Sequence, residues 1–65
     1  MSKQNRQAAR RDYFVRLTDA NGSQEDDGRD DGGEGIHLTE AEALRRATTP
    51  GYYLPTWTPE VIHWG

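Results

Sequence analysis

The sequence predicts a small α+β domain, with two to four short antiparallel strands and one short capped helix. Three observations carry that expectation. Tyr13-Phe14-Val15-Arg16-Leu17-Thr18 alternates and is rich in β-branched and aromatic residues, which is the pattern of a strand. Thr39-Glu40-Ala41-Glu42 has the spacing of a capping box, the strongest local helix signal in the chain. The third is size: 65 residues with 32% hydrophobic content and no cysteine leave room for one small domain, with no disulfide or CxxC-type zinc staple to support it. Six of the hydrophobic residues are alanines, so the core must be drawn from a short roster of larger side chains.

Residues 1–11, MSKQNRQAARR, are polar and basic with no apolar face, and read as a flexible arm. The domain then occupies residues 12–65. In the first strand, Tyr13, Val15 and Leu17 share one face, and Asp19-Ala20-Asn21-Gly22 ends it, because Asn-Gly tolerates the positive φ of a tight turn. From Ser23 to Gly35 the run SQEDDGRDDGGEG contains no hydrophobic side chain and clusters like charge. It reads as a mobile acidic loop over residues 20–35 that cannot pack.

Ile36-His37-Leu38 resumes the alternation and suits a short strand paired with Tyr13–Thr18 across that loop. The helix follows from about Glu40 to Ala47. Its two first-turn acids and the late Arg45 and Arg46 complement the dipole. Ala41, Leu44 and Ala47, with Leu38 before the cap, form the expected buried face. Glu42 and Arg46 form an i,i+4 pair worth about 0.3 kcal/mol. Thr48-Thr49-Pro50-Gly51 stops the helix, since proline lacks a donor and disfavours α geometry before it. In the remaining segment Pro55 and Pro59 exclude a central strand, and Val61-Ile62-His63-Trp64 reads as a last short strand. Leu54, Ile62 and one tryptophan are expected to point inward, with at least one tyrosine or tryptophan left exposed.

The formal net charge of −3 divides sharply. Residues 1–16 carry +4, from Lys3, Arg6, Arg10, Arg11 and Arg16 against Asp12, and residues 17–35 carry −6. Candidate chemistry is sparse. Asp19, Asn21 and Ser23 have one-three-five calcium-loop spacing, but Gln24 stands where glycine is required and Asp30 where a bidentate glutamate is required. Gly32-Gly33-Glu34-Gly35 starts like a calcium-binding β-roll repeat, yet His37 replaces the aspartate and no second copy follows. His37 and His63 suit packing better than metal ligation. There is no nucleophile elbow and no glycine-rich phosphate loop. The expectation is therefore no enzyme, no catalytic residue, no metal and no cofactor. No apolar run has the length of a signal-peptide core or a membrane span, so a cytoplasmic, monomeric protein with no membrane association is expected.

What remains is surface chemistry. Asp26, Asp27, Asp30 and Asp31 would attract a basic surface, Arg10, Arg11 and Arg16 would make charge-assisted contacts, and Tyr53 or Trp57 would anchor. The expected partner is a larger protein with a basic or mixed-charge surface. An arm without aromatics on a net negative chain makes nucleic acid a poor main partner, although a DNA-binding accessory role for the arm would show as steep salt dependence.

Size, charge and strand–helix–strand order resemble the small phage proteins that inhibit host RNA polymerase or other host nucleic-acid machinery. The likeness is one of architecture, and it implies a non-enzymatic inhibitor or regulator with RNA polymerase as a candidate target. A second reading starts from Thr49, two residues before Gly51, followed by an aromatic segment. This resembles lasso-peptide precursors and implies a leader of roughly residues 1–50 and a modified core near residues 51–65. Glu60, the tenth residue of that core, departs from the seventh-to-ninth position at which such rings close.

Overall fold

The computed structural model describes residues 10–30 and 35–64. Three antiparallel strands and one helix follow in the order β1 (Tyr13–Thr18), β2 (Gln24–Asp27), α1 (Glu40–Thr48) and β3 (Thr58–His63). This is a small α+β fold. In the sheet β1 is central, flanked by β2 on one edge and β3 on the other.

The β1–β2 turn is built by Asp19. Its carboxylate accepts from the backbone N–H of Asn21 and of Ser23, each at 2.9 Å, and Gly22 adopts φ 86°, as the Asn-Gly signal requires. The chain then returns as β2, pairing Thr18 with Gln24, Leu17 with Glu25, Arg16 with Asp26 and Val15 with Asp27. Here the structure corrects the expectation that residues 20–35 form a loop unable to pack. Tertiary partners overrode composition: Asp26 and Asp27 face cations rather than one another, and the backbone is satisfied by β1. Asp31, with the rest of residues 31–34, lies outside the described residues, as do residues 1–9 of the basic arm.

Gly28, at φ 91°, turns the chain at a point where a Cβ would lie 2.5 Å from the Leu38 side chain, so only glycine fits. A narrow ladder follows, with Arg29 bridging Ile36, Asp30 N–H donating to Gly35 O at 2.8 Å and His37 N–H to Gly28 O at 2.8 Å. Ile36–Leu38 is thus not a strand alongside all of β1. It makes isolated bridges, Leu38 pairing only with Tyr13, because β2 already occupies the rest of that edge.

The capping box forms as its sequence dictates. Glu42 N–H donates to Thr39 Oγ1 at 3.1 Å and Thr39 N–H to Glu42 Oε1 at 2.9 Å. Helix α1 packs across β1 and β3, but with a different face from the one expected. Ala43 is fully buried, whereas Ala41 is exposed and Leu44 is 47% exposed. Arg46 pairs with Asp27 at 2.9 Å instead of with Glu42, and Ala43, three residues before it and so on the same side of the helix, lies in the core. After Gly51, at φ 80°, the connection passes to β3, which runs antiparallel to β1 from Thr18 opposite Thr58 to Tyr13 opposite His63. β3 begins three residues earlier than expected and includes Pro59, which an edge strand tolerates.

The core comprises Val15, Leu17, Leu38 and Ala43, with Tyr13, Tyr53, Trp57 and Val61 packed around it. Leu54, expected to point inward, is 68% exposed, because the Leu54–Trp57 turn, closed by Trp57 N–H on Leu54 O at 3.0 Å, directs Trp57 to the core. Phe14 is buried on the opposite face of the sheet.

Candidate functional site

The charged residues fall into local networks. On the sheet face away from the helix, Asp26 accepts from Arg16 Nε at 3.3 Å and from Arg29 Nη1 at 3.1 Å. Both guanidinium groups lie over the Phe14 ring, Arg16 at 5.5 Å and Arg29 at 5.3 Å from its centroid, and Arg29 also lies 4.5 Å from the centre of the Trp64 ring. Arg29 is thus placed between two aromatic rings and a carboxylate. Its Nε, buried against those rings, has no acceptor.

On the helix side, Asp27 Oδ2 accepts from Arg46 Nη1 at 2.9 Å and from the Tyr53 hydroxyl at 2.7 Å. Burial, reinforced by the bond to the Asp27 carboxylate, pushes the Tyr53 phenol well above its ordinary value. The separate bond that Arg46 donates to Asp27 is the main cause that raises Arg46. Beside the cap, Arg11 donates to His37 O and to Glu42 Oε1, both at 3.0 Å. The backbone bond from Thr39 is the main cause that holds Glu42 below the usual carboxylate range, with Arg11 adding to it.

A cleft of about 630 Å3 opens where the start of β1, the end of β3 and the N-terminus of α1 meet. Asp12, Tyr13, Glu40, His63 and Trp64 line it, with Arg10 at its edge. Asp12 Oδ2 takes His63 Nε2 at 3.0 Å and Arg10 Nε at 3.5 Å, while Asp12 Oδ1 is buried without a partner. The Tyr13 and His63 rings stack with centroids 4.6 Å apart. Burial raises the Tyr13 phenol above its ordinary value, and the Glu40 and Asp12 carboxylates push it further.

The residues expected to bind a partner are thus dispersed. Arg16 and Asp26 belong to the roof over Phe14, while Asp27 and Tyr53 form one network with Arg46. Trp57 packs on the core, Arg10 stands at the cleft, Arg11 braces the cap and Asp30 meets His37 Nε2 at 2.6 Å. Sequence reasoning missed Arg29, Arg46 and the Asp12–His63 contact. One signal for the first network is visible: Arg16 and Asp26 lie at equal distances on either side of Asn21, which makes them a cross-strand pair once the turn is accepted. Among the described residues, the exposed large apolar side chains are Leu44, Tyr52, Leu54 and Trp64.

Among the described residues no three histidine, aspartate or glutamate side chains converge as metal ligands, and no helix is long and apolar enough to cross a membrane. Comparison with protein-family models, with curated proteins and with solved structures finds no match to this chain.

Proposed function

We propose that this chain is a non-enzymatic protein-binding module that regulates a larger protein with a basic or mixed-charge surface. Enzymes that handle nucleic acid, RNA polymerase among them, are the target class suggested by its size and architecture. The observation that carries the reading is the distribution of apolar side chains. Among the described residues the fold buries five of them, while Leu44, Tyr52, Leu54 and Trp64 stand 47–68% exposed. Leu44 lies on the outer side of α1, and Tyr52 and Leu54 on the connection that leaves it. Large apolar and aromatic side chains held out on a small ordered scaffold are suited to fill pockets on a partner. Tyr52 and Leu54 therefore replace Tyr53 and Trp57 as the anchors, because the latter two are engaged with the core.

Charge supports attraction more than it supports contact by the aspartates of β2, whose carboxylates are already bonded internally. The long-range field of a chain carrying −3 remains available for steering. The pairing of β3 along all of β1 favours this reading over a precursor cut before Gly51, which would lose that strand.

A photo-reactive amino acid at position 52 or 54 tests the proposal in lysate of the native source. The expected result is a cross-link to one larger protein, competed by unlabelled chain and not by a Tyr52→Asp, Leu54→Asp chain that still folds. Absence of any competed cross-link at low salt would refute the binding role.

A further inference from the structure

The cleft between β1, β3 and the start of α1 has an unbalanced set of polar groups. Asp12 and Glu40 bring two carboxylates. Against them stands Arg10, 86% exposed, whose ion pair among the described residues is with Asp12 Oδ2, an atom that also takes His63. Asp12 Oδ1 is buried beyond the reach of a ligand, and among the described residues Glu40, which is exposed, forms no ion pair. The accessible acceptor left without a counter-charge is therefore the Glu40 carboxylate, and it stands beside ring systems, the Tyr13–His63 stack and Trp64. Acceptors beside aromatic faces select a ligand that is cationic, flat and rich in N–H donors.

The molecule already contains one such seat, filled. Arg29 lies 4.5 Å from the centre of the Trp64 ring and 5.3 Å from that of Phe14, with its Nη1 3.1 Å from Asp26. The cleft repeats that combination of carboxylate and aromatic wall, and its one cation among the described residues, the exposed Arg10, is paired with Asp12 and not with Glu40. The helix N-terminus at its side favours anions, but Glu40 and Glu42 already occupy that first turn and the Thr39 hydroxyl caps it.

We propose that this cleft receives an arginine side chain of the protein partner, its guanidinium set between the Glu40 carboxylate and the Tyr13–His63 rings, with Arg10 as the resident cation it displaces. The inference rests on the protein-binding reading above and narrows it: the mixed-charge surface of the partner presents an arginine beside the apolar pockets filled by Tyr52 and Leu54. Lysine is the poorer ligand, because its ammonium is a compact point charge that cannot stack and hydrogen-bond at once.

The test uses the full isotope-labelled chain titrated with N-acetyl-arginine-N-methylamide and followed by amide shifts at Ala41 and His63 and by the Trp64 indole. Saturable shifts confined to these groups are expected. Glu40→Gln should weaken the probe by about fivefold, the upper end for one partly exposed ion pair, and Arg10→Gln should tighten it by a smaller factor. The citrulline analogue, equal in shape and uncharged, separates charge from fit. Equal binding by citrulline, shifts produced by inorganic phosphate but not by the arginine probe, or no saturable shift at all would each overturn the proposal. Because the probe needs no partner, its failure leaves a competed cross-link standing. A failed cross-link beside saturable probe binding would instead remove the partner and leave the arginine site.

Discussion

Val15 and Phe14 are neighbours on β1 and are equally buried, at 0% and 1% exposure, yet they are covered by opposite means. Val15 faces Leu17, Leu38 and Ala43 under the helix, an apolar core of ordinary kind. Phe14 faces away from the helix and is roofed by Arg16, Arg29 and the tilted Trp64 ring. A chain with too few aliphatic residues for two cores has built the second from arginine stems and rings. Long cationic side chains cover apolar surface well, but they require a counter-charge, and here one carboxylate, Asp26, supplies it to both arginines. The helix side needs only packing, whereas the roof needs packing and charge together. One tryptophan reports on each side, Trp57 under the helix and Trp64 on the roof, so variants retaining a single tryptophan separate the two.

The largest expected effect lies on the helix side. Leu38→Ala should cost about 3 kcal/mol, because the side chain is buried and Gly28 cannot extend to fill the space. Urea unfolding should show this as an early midpoint, with the Trp57 signal altered first. In a domain whose total stability is only a few kcal/mol, that is most of what is available. A loss below about 1 kcal/mol would mean that the apolar core is not the dominant support.

Next comes the roof. Arg29→Ala should cost about 1–2 kcal/mol, the range for a cation over an aromatic ring away from solvent, and should shift Trp64 emission while leaving Trp57 unchanged. Arg29→Lys keeps the charge but not the flat stacking group, and should recover less than half of the loss. Full recovery by lysine would show that charge alone holds the roof, and would dissolve the contrast between the two faces.

The smallest effect links the helix side to β2. Tyr53→Phe removes one hydrogen bond to Asp27, which keeps Arg46, and should cost about 1 kcal/mol. Its signature is at alkaline pH. The folded phenol is raised above its ordinary 10.0, so the stability it contributes is complete below that pH and declines as pH rises past it, the unfolded chain ionising first. The decline should be shallower in Tyr53→Phe than in the natural chain. Tyr13, also raised, contributes in the same direction. Identical alkaline limbs would show that the Tyr53–Asp27 bond does not survive in solution.

The two regions also differed in how far they could be read in advance. β1, the turn at Asn21-Gly22, the capping box and the last strand are local patterns, each decided within a few neighbouring residues, and all are present. β2 was illegible because Gln24-Glu25-Asp26-Asp27 has no strand propensity of its own. Asp27 is held by Arg46 and Tyr53, 19 and 26 residues away, and no window along the chain contains those partners. The buried helix face was misread for a related reason: hydrophobic spacing favours Leu44, whereas the face that packs carries Ala43 and the long-range Arg46–Asp27 pair. Among the candidate site residues, the aspartates were legible as charge, and of their internal bonds only Arg16–Asp26 had a signal in the sequence, through its symmetry about Asn21. The cleft, which joins Asp12 to His63 from opposite ends of the domain, has no sequence pattern at all.

The register of β3 has a kinetic consequence. β1 and β2 meet across a five-residue turn, but Tyr13 finds His63 and Phe14 finds Ile62 only after nearly the whole domain has been laid down. Closing so long a loop is entropically slow. One edge of the central strand therefore stays open during synthesis until Thr58–His63 has been made, and the pairing of that segment seals it. Until then β1 is a strand available to any other chain that can pair with it, which makes the interval before closure the period of greatest aggregation hazard for this fold.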